Sequence, residues 1–183
     1  IKELRIRFNH TCSLMNNLLD WTVLQMDKMN LQAGNVHLHK LVEENIELMG
    51  SIQTKKIKMV NSVPASALGF ADSNTINLVI RNLMTNAIKF TNDGGEIIVA
   101  GESKGNDWII SVRDNGIGMS ADIQKKLFDK VNPYSTRGTA NEKGTGLGLI
   151  LCKEFVEKNG GRIWVESKEN EGSTFWFTVP KTS

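Results

Sequence analysis

Asp114-Asn115-Gly116-Ile117-Gly118 decides the reading of this chain. It follows an apolar run, Trp108-Ile109-Ile110-Ser111-Val112, whose composition predicts a strand, and Asn-Gly at the exit predicts a turn. Glycine tolerates positive φ and lets a backbone come close to its neighbour. A carboxylate on such a turn, at a sheet edge, is placed to accept a hydrogen bond from a bound group. The exocyclic amine of adenine is a donor of that kind. Guanine offers a carbonyl there, and two acceptors repel. Taken alone, the stretch reads equally well as an ordinary hairpin turn, so the sequence on either side has to decide.

Working upstream, Glu96 to Ala100 and Trp108 to Arg113 predict a hairpin across Gly105-Asn106-Asp107, after a turn at Asp93-Gly94-Gly95. From Asn74 to Phe90 the pattern is helical, with Ile76, Val79, Ile80, Leu83 and Ala87 on a core side. Asn82, Asn86 and Lys89 share an adjacent stripe. Two amides and an ammonium in one line suit a magnesium-bound polyphosphate, because magnesium takes oxygen ligands and keeps several waters. The ammonium is a point charge for a phosphate. A solvated polar face would carry the same residues. Earlier still, Val36 to His39 reads as a short strand bearing His37 and His39 as structural residues. Leu41, Asn45, Leu48 and Met49 suggest a helix, and Ile57 to Val60 a strand before a Pro64 loop. Residues 1–30 lack Pro and Gly, and Leu4, Phe8, Thr11, Met15, Leu18, Thr22, Gln25 and Met29 form a heptad seam. A long helix with that face needs a partner helix, and Gly34 is its expected C-cap.

Downstream, Ser120 is the expected cap of a helix reaching about Phe128. Residues 129–145 are polar and aperiodic, and a loop of that length inside a domain is usually functional. Lys143 and Gly144-Thr145-Gly146-Leu147-Gly148 then lead into a helix from Leu147 to Asn159. Amides at a helix N-terminus attract anions, though a flexible hinge would carry the same glycines. The order of residues is not that of a Walker A loop, and no strand precedes the run as a dinucleotide fingerprint requires. Ile163 to Glu166 and Thr174 to Val179 predict a last hairpin around Asn170-Glu171-Gly172.

Composition bounds the function classes. The 183 residues allow one medium domain with a small appendage, and a net charge of +2 with scattered Lys and Arg argues against a nucleic-acid surface. Cys12 and Cys152 have no metal-like spacing and read as thiols of a reducing compartment. No apolar run is long enough for a membrane span. The start at Ile1, in mid-pattern and without Met, suggests a piece of something longer.

The order Asn-bearing helix, D-x-G-x-G turn, long loop and G-x-G-x-G helix resembles the ATP-binding domain of sensor histidine kinases, in the gyrase–chaperone–kinase–MutL ATPase superfamily. The resemblance covers roughly residues 36 to 180. Asn82 to Thr91 is similar to the family's N box, Asp114 to Gly118 to its first glycine box, Leu127-Phe128 to its F box and Gly144 to Gly148 to its second. Glu171-Gly172-Ser173-Thr174-Phe175 is similar to the closing strand that carries a threonine near the adenine. Leu18-Leu19-Asp20-Trp21 resembles the end of the second helix of the family's dimerisation hairpin.

The resemblance implies an α+β fold: a Bergerat-type two-layer α/β sandwich with a mixed, mainly antiparallel sheet and three helices on one face, after a long N-terminal helix. It implies two regions, 1–33 as part of a hairpin and 34–183 as an ATP-binding domain. The cofactors implied are ATP and Mg2+, with Asn86 on the magnesium, Asn82 supporting the phosphates, Lys89 on a phosphate and Phe90 packed at the nucleotide. Asp114 would take the adenine amine, partly through a water shared with Thr174, with Gly116 and Gly118 permitting close approach. Gly144, Thr145, Gly146, Leu147 and Gly148 would wrap the phosphates. Residues 119–143 would form a lid from which Arg137 and Lys143 reach the γ-phosphate.

The implied activity is that of a histidine kinase of a two-component system. The partners are its own phosphoacceptor hairpin, a response-regulator receiver domain and a second copy in a homodimer, in the cytoplasmic portion of a membrane-anchored sensor. Asn82 stands where hydrolytic members of the superfamily carry a glutamate base for water, which favours transfer to another acceptor. The acceptor-histidine motif is missing: His10 is followed by Thr11-Cys12-Ser13 and reads as a surface residue. Val131 stands where a second F-box aromatic is often found. The alternatives are a related ATPase or serine kinase, and a non-catalytic dimerisation or signal-relay module.

Overall fold

A computed structural model describes residues 31–132, 134–142, 144 and 146–181. The heptad-patterned segment 1–30, with its expected helix, His10 and Cys12, lies outside the described residues, as do Lys143 and Thr145. In chain order the elements are β1 (Ala33–His37), α1 (Leu38–Ile52), β2 (Lys58–Ser62), β3 (Leu68–Asp72), α2 (Ser73–Phe90), β4 (Glu96–Lys104) and β5 (Asp107–Asp114). There follow α3 (Ala121–Gln124), α4 (Gly148–Lys158), β6 (Ile163–Lys168) and β7 (Gly172–Pro180).

The main sheet has the order β2-β4-β5-β7-β6, with β2 parallel to β4 and every other pair antiparallel. Period-two alternation sorts its side chains. Val99, Val112, Phe175 and Val165 share one row, and Ile110 and Phe177 the next. This face meets the helices, where Ile76, Val79, Ile80 and Leu83 of α2 and Leu151 and Phe155 of α4 are almost fully buried. On the other face Trp176 lies against Trp164 across β7 and β6, their rings stacked with centroids 6.0 Å apart. Trp108 is a core residue whose indole N–H donates to the Leu68 carbonyl at 3.0 Å. The expected mixed, mainly antiparallel sheet with three substantial helices on one face is the fold observed.

α2 is the element on which the rest is packed. Asp72 caps it, accepting a hydrogen bond from the Thr75 amide at 2.9 Å. Its buried residues recur at three- and four-residue steps. α1 joins it through Asn45, whose side-chain amide donates to Asn77 Oδ1 at 2.6 Å.

Several local expectations need correction. β3 was not anticipated; it pairs with β1 in a separate two-stranded sheet, and Gly34 lies inside β1 opposite Ala71 rather than capping a helix. The helix after Ser120 is a single turn, without a side-chain cap from Ser120, and residues to Phe128 continue as turns. His37 ends β1 whereas His39 lies in the first turn of α1, its Nδ1 2.6 Å from the Val63 carbonyl oxygen, so the two do not share a strand face. No described helix is long and apolar enough to cross a membrane.

Candidate functional site

Asp114 ends β5 on the face that looks toward the helices, in register with Ile97 of β4 and Ser173 of β7. It is 4% exposed. Its Oδ1 accepts hydrogen bonds from the amides of Gly116 (2.9 Å) and Ser173 (3.3 Å). Its second oxygen has no hydrogen-bond partner among the described residues, and Asp114 lines the cavity described below. Burial pushes the carboxyl above its ordinary value, while the two amides pull it down. A buried acceptor held in place by its neighbours, with one oxygen left over, is suited to a ligand N–H.

The glycines around it serve the backbone first. A Cβ at Gly116 would collide with the Phe90 carbonyl at the end of α2. At Gly118, where φ is +64°, it would collide with the Lys168 carbonyl. The turn is thereby wedged between α2 and the β6–β7 hairpin, with the Ile117 amide donating to the Phe90 carbonyl and the Asn170 amide to the Ile117 carbonyl.

α2 supplies the opposite wall. Asn82, Asn86, Lys89 and Phe90 face the same cavity as Asp114. The Lys89 ammonium donates to the Thr136 carbonyl at 2.7 Å and sits 4.6 Å from the centre of the Phe90 ring. Burial lowers its pKa, and the nearby Glu142 carboxylate opposes that. Gly144, Gly146 and Gly148 close the third side, ahead of and at the start of α4. A Cβ at Gly148 would lie 2.8 Å from Asn82 Oδ1, so the glycine lets α4 press against the amide stripe.

The result is a cavity of about 300 Å3, at the low end of the range for small-molecule sites. Its apolar part is formed by Ile117, Met119, Ile123, Leu127, Tyr134, Leu149 and Phe175, and its polar part by the α2 stripe, Thr85, Ser135, Thr136, Ser173 and Asp114. Asp114 and the amide stripe thus stand in the walls of one space.

Four expected residues do not line it. Thr174 is on the opposite face of β7, and Ser173 takes the cavity side because side chains alternate along a strand. Arg137 is exposed and donates to Asn141 Oδ1 at 2.6 Å, captured by the turn in which the Gly138 amide donates to the Glu142 carbonyl. Gly116 and Leu147 do not line the cavity; the first is held in the turn by its amide bond to Asp114 and the second is the N-cap of α4. Sequence reasoning missed Tyr134, which packs on the core at the cavity wall, whereas Val131, the expected aromatic position, is 85% exposed. Ser173 was recoverable, since the register that faces Asp114 inward also faces its β7 partner inward.

The donor set fits one kind of metal. Among the described residues no three His, Cys, Asp or Glu side chains cluster to cage an ion. Asn82 and Asn86 have side-chain amides with no hydrogen-bond partner among the described residues, in a cavity wall. Such oxygens suit a hard cation that brings most of its ligands as water and phosphate.

Comparison with known proteins bears on this geometry. Residues 71–183 match the family described as histidine kinase-, DNA gyrase B-, and HSP90-like ATPase. The adaptive-response sensory kinase SasA of Prochlorococcus marinus is 42% identical over 173 residues, covering 92% of this chain and 44% of that protein. The catalytic domain of histidine kinase ThkA superposes with a TM-score of 0.71 at 31% identity, over 83% of this chain and 97% of that one. ThkA in complex with the response regulator protein TrrA gives 0.76 at 26% identity, over 99% of this chain and 51% of that one. The chain spans about a fifth to a half of the length of the curated relatives it matches. The family match takes in more than half of the chain, and a solved catalytic domain aligns along nearly all of its own length. The chain therefore belongs to the histidine kinase-, DNA gyrase B- and HSP90-like ATPase family, as the ATP-binding domain of a sensor histidine kinase.

Proposed function

We propose that this chain holds Mg-ATP for phosphoryl transfer to a histidine on a helical hairpin, from which a response-regulator aspartate later takes the group. The observation that carries the reading is that an acceptor with a spare oxygen, Asp114, shares one cavity with the Asn82–Asn86–Lys89 stripe. In this reading Asp114 receives the adenine amine and Ser173 stands beside it. Asn86 holds magnesium, which supplies charge neutralisation on the phosphates. Asn82 and Lys89 contact phosphate, and Phe90 and Tyr134 pack along the nucleotide.

Phosphoryl transfer depends mainly on positioning and on stabilising charge. A domain of this kind fixes the donor, and the acceptor nitrogen has to be delivered to it. Asn82 lacks the basicity to activate water, which favours transfer over hydrolysis. Residues 1–33 as part of the hairpin, with 34–183 as the ATP-binding domain, belong to the same proposal. So do homodimerisation and a place in the cytoplasmic portion of a membrane-anchored sensor.

The test has three arms. Mg-ATP affinity is measured first, then phosphoryl transfer to a supplied hairpin bearing the histidine, then steady hydrolysis without it. Binding, transfer to the hairpin and slow hydrolysis are expected. Strong hydrolysis without the hairpin would favour the ATPase reading, and no nucleotide binding would favour the non-catalytic module.

A further inference from the structure

Lys55 lies in the loop between α1 and β2 and belongs to none of the motifs that define the site. Its side chain is only 10% exposed. The ammonium donates to the carbonyls of Ile88 (2.8 Å), Lys89 (3.1 Å) and Thr91 (3.2 Å), and to Thr139 Oγ1 at 2.8 Å. It also lies 3.0 Å from Glu142 Oε1. A lysine has three donors, so these five oxygens share them. The carbonyls are those of the last turn of α2 and its exit, where the helix presents its negative end. Thr139 and Glu142 come from a different part of the chain, the loop that walls the cavity.

That loop is fastened at the same point by its own backbone. The Thr139 amide donates to the Lys89 carbonyl at 3.0 Å, and the Gly138 amide to the Glu142 carbonyl at 2.9 Å. Two residues before Gly138, the Thr136 carbonyl accepts from the Lys89 ammonium. Lys89 is therefore held at both ends: its carbonyl by Lys55 and Thr139, its ammonium by Thr136. Lys55 is outside the cavity lining, yet both its partners in the loop bear on where Lys89 and Thr136 stand.

We propose that Lys55 is a positioning residue of the nucleotide site, pinning the turn 138–142 to the end of α2 and so fixing the loop wall and Lys89 at the phosphate end of the cavity. The proposal rests on the Mg-ATP reading given above. A lysine that merely capped a helix would stabilise α2 without distinguishing the two ends of a ligand. One that positions the loop acts on the phosphate end alone, because Asp114 and Ser173 are held by the sheet.

The test compares wild type, Lys55→Met and Thr139→Val. The second variant keeps the Lys55 bonds to α2 and its ion pair with Glu142. It removes the Thr139 hydroxyl, which accepts from Lys55 and itself donates toward the Lys89 and Thr91 carbonyls at 3.2 and 3.0 Å, so it remains informative if Lys55→Met fails to fold. Hydrogen exchange of the Gly138 and Thr139 amides is measured without nucleotide, and calorimetry gives the affinities for Mg-ATP and for adenosine. Exchange at both amides is expected to speed up by about tenfold or more in Lys55→Met, and by less in Thr139→Val. Mg-ATP affinity is expected to fall by about tenfold in Lys55→Met while adenosine affinity stays within about twofold. Unchanged exchange at the two amides, or equal losses for Mg-ATP and adenosine, would overturn the proposal and leave the Mg-ATP reading standing. A wild-type chain with no affinity for Mg-ATP would remove that reading and the proposal with it.

Discussion

Replacing Asp114 by Asn separates function from stability in one residue. Oδ1 of an asparagine can still accept from the Gly116 and Ser173 amides, so the turn keeps its bonds. The NH2 group then takes the place of the carboxylate oxygen that has no partner among the described residues, and in the proposed reading a donor would face the adenine amine. A hydrogen bond to a charged group is worth about 1.5–3 kcal/mol, so adenine-nucleotide affinity should fall by about 10- to 150-fold. Stability should move the other way. The carboxyl is raised by burial, so the folded state disfavours its ionised form. The stabilisation associated with the protonated form is fully present below the unfolded pKa and is lost as pH rises through the raised folded pKa. At pH 7 the wild type therefore carries the cost of a buried charge that the Asn variant lacks. Its melting temperature should equal or exceed that of the wild type at pH 7, with the difference shrinking in acid. Calorimetric titration with Mg-ATP and thermal melts at pH 7 and pH 4 read both effects. An affinity within twofold of wild type, or a loss of affinity accompanied by a clear fall in melting temperature, would refute the reasoning.

Other substitutions probe separate parts of the site. Gly118→Ala puts a side chain at φ +64° and against the Lys168 carbonyl, and should cost more than about 3 kcal/mol in denaturant unfolding. Ser173→Ala should weaken Mg-ATP binding by about 2- to 10-fold, whereas Thr174→Ala, on the opposite face of β7, should leave it unchanged; the reverse pattern would restore the assignment made from sequence. Lys89 is shifted down by burial, so its positive charge is lost at lower pH than that of an exposed lysine. Mg-ATP affinity should accordingly decline as pH rises toward its lowered pKa, and Lys89→Met should bind more weakly at neutral pH and flatten that alkaline decline.

What sequence could convey depended on how local the cause was. α2 was legible nearly to the residue, because its apolar positions and its amide stripe follow one period. The strands β4 to β7 were legible from alternation and turn residues, though they run longer than their apolar centres. β3 was not, since Leu68-Gly69-Phe70-Ala71-Asp72 is short, contains a glycine and is defined by pairing with β1. Gly69 is there because a Cβ would press on Val179 at 2.7 Å, a contact from the far end of the chain.

At the site, residue types were legible and directions were not. In sequence the first glycine turn suggests space yielded to a ligand, but Gly116 and Gly118 yield first to the carbonyls of Phe90 and Lys168. Thr174 and Ser173 differ by one position, and only the register with Asp114 assigns the inward one. Arg137 has the charge to reach a phosphate but is held by Asn141 four residues on. Lys55 gave no local signal, because its partners lie 33 to 87 residues away.

The most direct measurement is a calorimetric titration of the unmodified chain with ATP and with GTP, each with and without magnesium. Saturable ATP binding that weakens without magnesium and exceeds GTP binding by at least about tenfold is expected, since guanine would place a carbonyl against the Asp114 oxygen. Indifference to ATP, or equal affinity for the two purines, would contradict an adenine site built on Asp114.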